Sequence, residues 1–332
     1  MEKLIEKPNS IMNVSAVIPL YNREAHIQRA LHSILNQTYP ISEIIVVDDG
    51  STDNSCELVR GIKDSRIKII HQDNSGQHAA RNTGWIAASN PFVAFLDADD
   101  EWKPNFLLRI IELVNLFPEA GLFATSTEII KPNGAFAYPK LDLLQPEPWI
   151  GIIPNFFELF QDGFVFNSSS VVIPKKVLIE VAGFPADATY LGDVTCWVNI
   201  SLRYNIAFDS DRLAVYHQEA ENRLGPKYKF FITEAPFIKN IDKALQNGTI
   251  PKNLQKEALN FKAQKQIMVA AENVMAGNPA YARGLLATCR GNQKYWRDWL
   301  KWRFWAAWPP GWPAKLLALK TLLRRKLSRI YL

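Results

Sequence analysis

Val46-Val47-Asp48-Asp49-Gly50-Ser51-Thr52-Asp53 and Phe95-Leu96-Asp97-Ala98-Asp99-Asp100 are the two stretches that decide how this chain folds. In each, a short run of β-branched or aromatic residues breaks off into carboxylates, as a buried strand does where it reaches water. Working outward, Val14 to Leu20, Glu43 to Val47, Ile67 to Ile70 and Phe92 to Leu96 read as strands. Between them lie helix patterns: Ile27, Ala30, Leu31, Ile34 and Leu35 mark one face of a helix, Leu58, Val59 and Ile62 another, and Gly76 to Ala88 a third. Ser51 to Asp53 are placed to cap the second, and Pro104 to open a fourth bearing Phe106, Leu107, Ile110, Ile111 and Val114. Alternating strands and helices predict an α/β fold, a mainly parallel sheet covered on both faces, with ligands beyond the carboxyl ends of the strands. Both acidic clusters lie at such ends, where gathered carboxylates suggest a divalent metal and a polyanionic ligand.

At 48% hydrophobic and 21% charged, the 332-residue chain is globular rather than disordered and long enough for more than one structural unit. Cys56, Cys196 and Cys289 have neither metal-ligand nor CxxC spacing, which fits a reducing cytoplasm. No apolar h-region follows Met1 and no uncharged stretch reaches the length of a membrane span, so neither a signal peptide nor a crossing helix is expected. The net charge of +5 is unevenly placed: residues 295–332 hold nine Lys or Arg and one acid, leaving the rest mildly acidic. A nucleic-acid binder would spread its positive charge over the folded body, so nucleic acid is not the expected partner.

Residues i and i+2 of an ending strand point the same way, so Asp97 and Asp99 can hold Mg²⁺ or Mn²⁺ through oxygen contacts, with a diphosphate completing the shell. The bland alternative is a solvated acidic loop ahead of a helix. The loop glycine and terminal glutamate of an EF-hand are missing, as are GxxxxGK[ST] and GxGxxG. Phosphate binding is thereby left to a metal. Asp48 and Asp49 are placed to accept hydrogen bonds from a base N–H or a ribose hydroxyl.

Val14 to Asn22, Ser33 to Tyr39, Asp48 to Asp53, Ala80-Arg81-Asn82-Thr83-Gly84 and Phe95 to Asp100 together resemble the ordered signature of the family 2 glycosyltransferases, inverting enzymes with a GT-A fold. The resemblance continues more faintly to about residue 220 and says little of the last hundred residues. It implies that Pro19, Tyr21 and Asp49 line the base and ribose of a nucleotide-sugar, and that Asp97 and Asp99 hold the metal. Arg81 is placed near the sugar or diphosphate, or else is an exposed helix arginine. An inverting transfer needs a base on the acceptor side. Family members supply it from ED-x-x-x-W, and the matching Gly192-Asp193-Val194-Thr195-Cys196-Trp197 keeps the Asp while glycine replaces the Glu. Asp193 is therefore the expected base, with an N-cap role as the alternative. Asn167-Ser168-Ser169-Ser170 borders the acceptor or forms a turn, and His217 is a third metal ligand, as in some relatives, or a structural histidine.

The expected organisation is a nucleotide-sugar-binding half at 1–117, an acceptor-binding half at 118–226, a helical extension at 227–294 and a Trp-rich basic segment at 295–332. In that segment Trp296, Trp299, Trp302, Trp305, Trp308 and Trp312 recur at intervals that drift around a helix, and Leu316, Leu319, Leu323, Leu327 and Ile330 form a stripe amid Lys and Arg. Such a segment suits the interface of an anionic leaflet, or else packs on protein or in an oligomer. The expected protein is a cytoplasmic transferase docked on the inner face of a membrane. It moves a sugar from a nucleotide-diphosphate donor, UDP foremost, to a lipid-linked or cell-envelope saccharide. The glycine at 192 leaves a second reading, a membrane-docked nucleotide-sugar-binding or scaffold protein without turnover. A nucleotidyltransferase would open with a Gly-rich basic loop, which Pro19-Leu20-Tyr21-Asn22 is not.

Overall fold

The computed structural model describes residues 12–161, 163–188, 191–220, 233, 235–312 and 315. The chain divides into two compact units, Met1–Glu221 and Asn222–Leu332.

The first unit is built on one mixed sheet. Strands β1 (Val14–Leu20), β2 (Glu43–Asp48), β3 (Ile67–His71) and β4 (Phe92–Phe95) run parallel in the order β3-β2-β1-β4. β1 and β2 are buried along nearly their whole length, which is why they read as apolar runs rather than alternating ones. Helix α1 (Ile27–Leu35) buries Ile27, Ala30, Leu31 and Ile34 completely. Each of its larger side chains contributes roughly 1.5–3 kcal/mol of transfer free energy. Helix α3 (Gln77–Ala87) lies close against β1 because Gly84 has no side chain there. A Cβ at Gly84 would fall 2.2 Å from Cγ1 of Val17 and 3.2 Å from Cγ2 of Val47.

Two boundaries differ from expectation. Helix α2 spans Ser55–Gly61 with Asn54 before it, so the predicted cap at Ser51 to Asp53 lies outside it. Ser51 Oγ accepts instead from the backbone N–H of Asn22, whereas Asp53 Oδ1 accepts from the N–H of Ser55, the first residue of α2, and so satisfies one of its N-terminal donors from outside the helix. Helix α4 (Phe106–Leu116) starts after Asn105, two residues beyond Pro104.

Beyond β4 the order continues through β9 (Val171–Pro174), β6 (Leu122–Ile130), β10 (Ile206–His217) and β5 (Glu101–Trp102). The short strands β7 (Phe136–Ala137) and β8 (Ile150–Ile152) pair antiparallel with β6 and β10. β9 is antiparallel to both its neighbours and carries its preceding 3-10 turn, Ser168–Ser170, to the acidic loop after β4. Helix α5 (Phe156–Leu159) is capped by Asn155, whose side chain accepts from Glu158 N. Helices α6 (Lys175–Val181) and α7 (Gly192–Ser201) pack together before β10.

The second unit is helical, as expected for residues beyond 227. Its helices are α8 (Phe237–Gln246), α9 (Lys252–Met275), α10 (Pro279–Thr288) and α11 (Trp296–Trp305), with α8, α10 and α11 packed on α9. Asn278 caps α10, its side chain accepting from Tyr281 N, and Pro279 opens the helix. α11 buries none of its side chains: Trp296, Leu300 and Phe304 are each more than half exposed. Lys301 and Arg303 lie over the rings of Trp302 and Trp299. The leucine stripe from Leu316 to Ile330 lies outside the described residues. Among those described, no helix is long and apolar enough to cross a membrane.

Candidate active site

The carboxyl ends of β2, β1 and β4 converge where the sequence places both acidic clusters. Register brings Pro19 beside Val47 and Leu20 beside Asp48. Immediately after β1, Tyr21 is 45% exposed and offers an uncovered ring, while Asn22 takes a positive φ of 50°. Asp49 is buried and already well used: Oδ1 accepts from Gln72 Nε2 (2.7 Å) and Ser75 N (2.8 Å), and Oδ2 from Gly76 N (2.9 Å). It therefore orders the loop that leads into α3. Asp48 meets Nδ1 of His71 at 3.0 Å, and the two line a cleft of about 450 Å³ together with Gly50, Gln72 and Asp73. Asp48, Cys56 and His71 bring three potential ligand atoms within 4.8 Å of one another. However, Arg60 donates to His71 Nε2 at 3.0 Å, and a guanidinium on that nitrogen works against a cation.

The acidic loop after β4 is held among arginines. Arg81 Nη2 donates to Asp97 Oδ1 at 2.5 Å, Arg23 Nε to Asp99 Oδ2 at 3.2 Å, and Arg29 Nη2 to the Asp99 carbonyl at 2.5 Å. Arg81 is 2% exposed, which removes the reading of it as an exposed helix arginine. Among the described residues no donor meets Oδ2 of Asp97 or Oδ1 of Asp99. Two hard oxygens two residues apart suit Mg²⁺ or Mn²⁺, and the flanking guanidinium groups suit the oxygens of a diphosphate. Asp100 is not part of that donor set. It is fully buried, accepting from Ser169 Oγ at 2.5 Å and from His217 N at 3.1 Å, and burial followed by the charges of Asp97 and Asp99 pushes its pKa well up.

His217 is brought to this loop, where both ring nitrogens face carboxylates. Nδ1 meets Glu219 Oε1 at 2.5 Å and Nε2 meets Glu101 Oε1 at 3.0 Å. Burial opposes the charged ring, yet the two carboxylates outweigh it and the pKa is raised. Both ring nitrogens are taken by carboxylates in this arrangement, so a metal-ligand role for His217 requires one of those contacts to open.

Asp193 comes from the opposite side, in the first turn of α7. The N-cap of that helix is Leu191, in the left-handed region at φ 54°, so the alternative of Asp193 as N-cap does not hold. Asp193 Oδ1 instead accepts from Val194 N at 2.8 Å. Burial raises its pKa, with Arg81 pulling the other way and Asp97 adding to the rise. A carboxylate with a raised pKa beside a fixed cation has the character of a general base. Arg81 is thus paired with Asp97 and its charge is felt at Asp193.

Two members of the constellation make contacts that the sequence did not reveal. Ser169 accepts from Asp97 N (3.1 Å) and donates to Asp100, and its carbonyl accepts from Trp102 Nε1 (2.6 Å), so a serine expected to border the acceptor or form a turn fixes the acidic loop. His78, one turn before Arg81, is buried and stacked on Phe184. Its i, i+3 spacing from Arg81 was the available hint.

This mixed sheet, with its carboxylates at the ends of the central strands, is of the nucleotide-sugar transferase, GT-A type. The chain belongs to glycosyl transferase family 2, whose model matches residues 15–180. The glycosyltransferase GlyG of Streptococcus pneumoniae is 30% identical over 218 residues, covering 62% of this chain and 71% of that one. An uncharacterized glycosyltransferase of Nostoc sp. is 47% identical over 114 residues, 33% of this chain and 35% of that one. The chain therefore spans only about a third of that relative's length. Among solved structures, S. aureus TarS 1-349 in complex with UDP-GlcNAc superposes with a TM-score of 0.56 at 17% identity, covering 86% of this chain and 92% of that one. The mannosyltransferase PcManGT from Pyrobaculum calidifontis, in complex with GDP-Man and Mn²⁺, gives 0.56 at 19% identity, covering 90% and 87%. Both share the fold.

Proposed function

We propose that this chain is an inverting glycosyltransferase that moves a sugar from a nucleotide diphosphate, UDP foremost, to a saccharide acceptor of the cell envelope or a lipid-linked one. The observation that carries the reading is Arg81: its buried guanidinium is paired with Asp97 at 2.5 Å, and its charge opposes the burial that raises the pKa of Asp193. Residues 1–117 bind the donor, through Pro19, Tyr21 and Asp49, and residues 118–226 the acceptor. Asp97 and Asp99 hold Mg²⁺ or Mn²⁺, which when bound neutralises charge on the departing diphosphate. The acceptor oxygen attacks C1 from the face opposite the diphosphate, the C1–O bond to the diphosphate breaks, and the acceptor proton passes to the Asp193 carboxylate. Arg23 and Arg81 add fixed positive charge on the leaving-group side. UDP-GlcNAc bound to TarS and GDP-Man with Mn²⁺ bound to PcManGT support a nucleotide-sugar donor and a metal. The exposed aromatic and basic surface of α11 supports docking on the inner, cytoplasmic face of a membrane.

The test is purified protein with a panel of nucleotide sugars, Mn²⁺ and cell-envelope extract. Transfer that vanishes in Asp193→Asn while nucleotide binding persists is the expected result. Nucleotide binding with no turnover on any acceptor would establish the scaffold reading instead.

A further inference from the structure

Gly192 occupies the position where the family resemblance expects a glutamate, and the space beside it is filled. A Cβ built on Gly192 would lie 2.5 Å from Nε2 and 2.7 Å from Cδ2 of His78, closer than real side chains approach. The imidazole cannot simply swing aside. It is 7% exposed, stacked on Phe184 at 6.1 Å with 12° between the planes, and its Nδ1 meets Nη1 of Arg81 at 3.3 Å. A guanidinium only donates, so Nδ1 accepts and the neutral ring carries its proton on Nε2, the atom turned to Gly192. Burial and the neighbouring Arg81 hold the ring neutral, its pKa lowered to about 3. No described residue accepts from Nε2.

We propose that His78 takes the place of a side chain at 192 and is an acceptor-positioning residue, its Nε2–H donating to an oxygen of the acceptor next to the hydroxyl that Asp193 deprotonates. This rests on the reading of Asp193 as the acceptor-side base. The exchange changes the chemistry of that wall. A glutamate would accept hydrogen bonds and add a second anion beside Asp193, whereas His78 donates and adds none. The matching acceptor group is one that accepts: an ether or hydroxyl oxygen, an N-acetyl carbonyl, or the oxygen of an anionic substituent. An acceptor bearing an anion here meets one carboxylate in place of two, with Arg81 alongside.

The test is a cycle of Gly192→Glu, His78→Ala and the double variant, with His78→Gln as the conservative change. Tm, nucleotide affinity by calorimetry with UDP and Mn²⁺, and acceptor KM and kcat are read for each. Gly192→Glu alone overpacks the site and lowers both Tm and transfer, the latter by about tenfold to a hundredfold. Adding His78→Ala makes room, so the double variant regains Tm and at least about tenfold of the lost transfer. His78→Ala alone raises acceptor KM about tenfold, the worth of one hydrogen bond, and His78→Gln restores part of it. A double variant no more stable than Gly192→Glu overturns the exchange, and an acceptor KM unmoved by His78→Ala overturns the positioning role. A wild-type chain that binds UDP but turns over no nucleotide sugar would instead sink the transferase reading, and the Tm cycle would still decide whether residues 78 and 192 share one space.

Discussion

Replacing Arg81 by Met keeps the aliphatic stem in its buried slot and deletes the charge on which the site turns. The guanidinium gives up its 2.5 Å contact with Asp97, its 3.3 Å contact with His78 and its place over the Phe184 ring at 5.6 Å. Two unit charges about 4 Å apart at an effective dielectric near 20 attract by about 4 kcal/mol. The gain is partly offset by the cost of burying the arginine, and the carboxylate left behind is not sealed in, since the Asp97 side chain is 29% exposed and rehydrates. The loss then falls below the roughly 3–5 kcal/mol of a fully buried pair, at about 2–3 kcal/mol. Urea unfolding of wild type, Arg81→Met, Asp97→Asn and the double variant measures it, with an expected coupling of about 1–2 kcal/mol. The catalytic consequence has a sign of its own. Arg81 pulls the Asp193 pKa down against burial, so its removal lets that pKa climb and moves the acid limb of kcat against pH upward. A variant as stable as wild type, with coupling below about 0.5 kcal/mol and an unmoved acid limb, would refute the central place given to Arg81.

Gly84→Val should be strongly destabilising, by about 3 kcal/mol or more, because even the first carbon of a side chain there overlaps Val17; a melting temperature within a degree or two of wild type would show that α3 can lift off β1 cheaply. His217 is raised above its ordinary 6.5 by Glu101 and Glu219, so its contribution to stability is full below that value and lost as pH rises through the folded-state pKa; His217→Gln should flatten melting temperature against pH in that window, and an unchanged slope would count against the double ion pair. Serine at Trp296, Leu300 and Phe304, all exposed on α11, should weaken pelleting with anionic vesicles while leaving circular dichroism unchanged; undiminished pelleting would place any membrane contact elsewhere.

Much of the donor side was legible in the linear chain. Buried parallel strands must be apolar throughout, so β1, β2 and β4 announced themselves, and the carboxylates that end them stood where a ligand is expected. Ser51 was misread because a serine before an apolar run looks the same whether it caps a helix or ties down a neighbouring loop, and only the position of Asn22 separates the two.

By itself the sequence determined the alternating sheet, the acidic strand ends, the helical second unit and membership of the family, because periodicity and short motifs are local properties. What only the tertiary structure decided depends on residues distant in sequence meeting in space. β9 enters antiparallel between β4 and β6 and delivers Ser169 to the loop of Asp97 and Asp100. Glu101 and Glu219 close on His217 from both sides. His78 on α3 reaches the start of α7, where an absent side chain at Gly192 leaves it room. Hydrogen bonding and steric exclusion act over a few ångströms, and no spacing along the chain reveals which groups the fold brings that close.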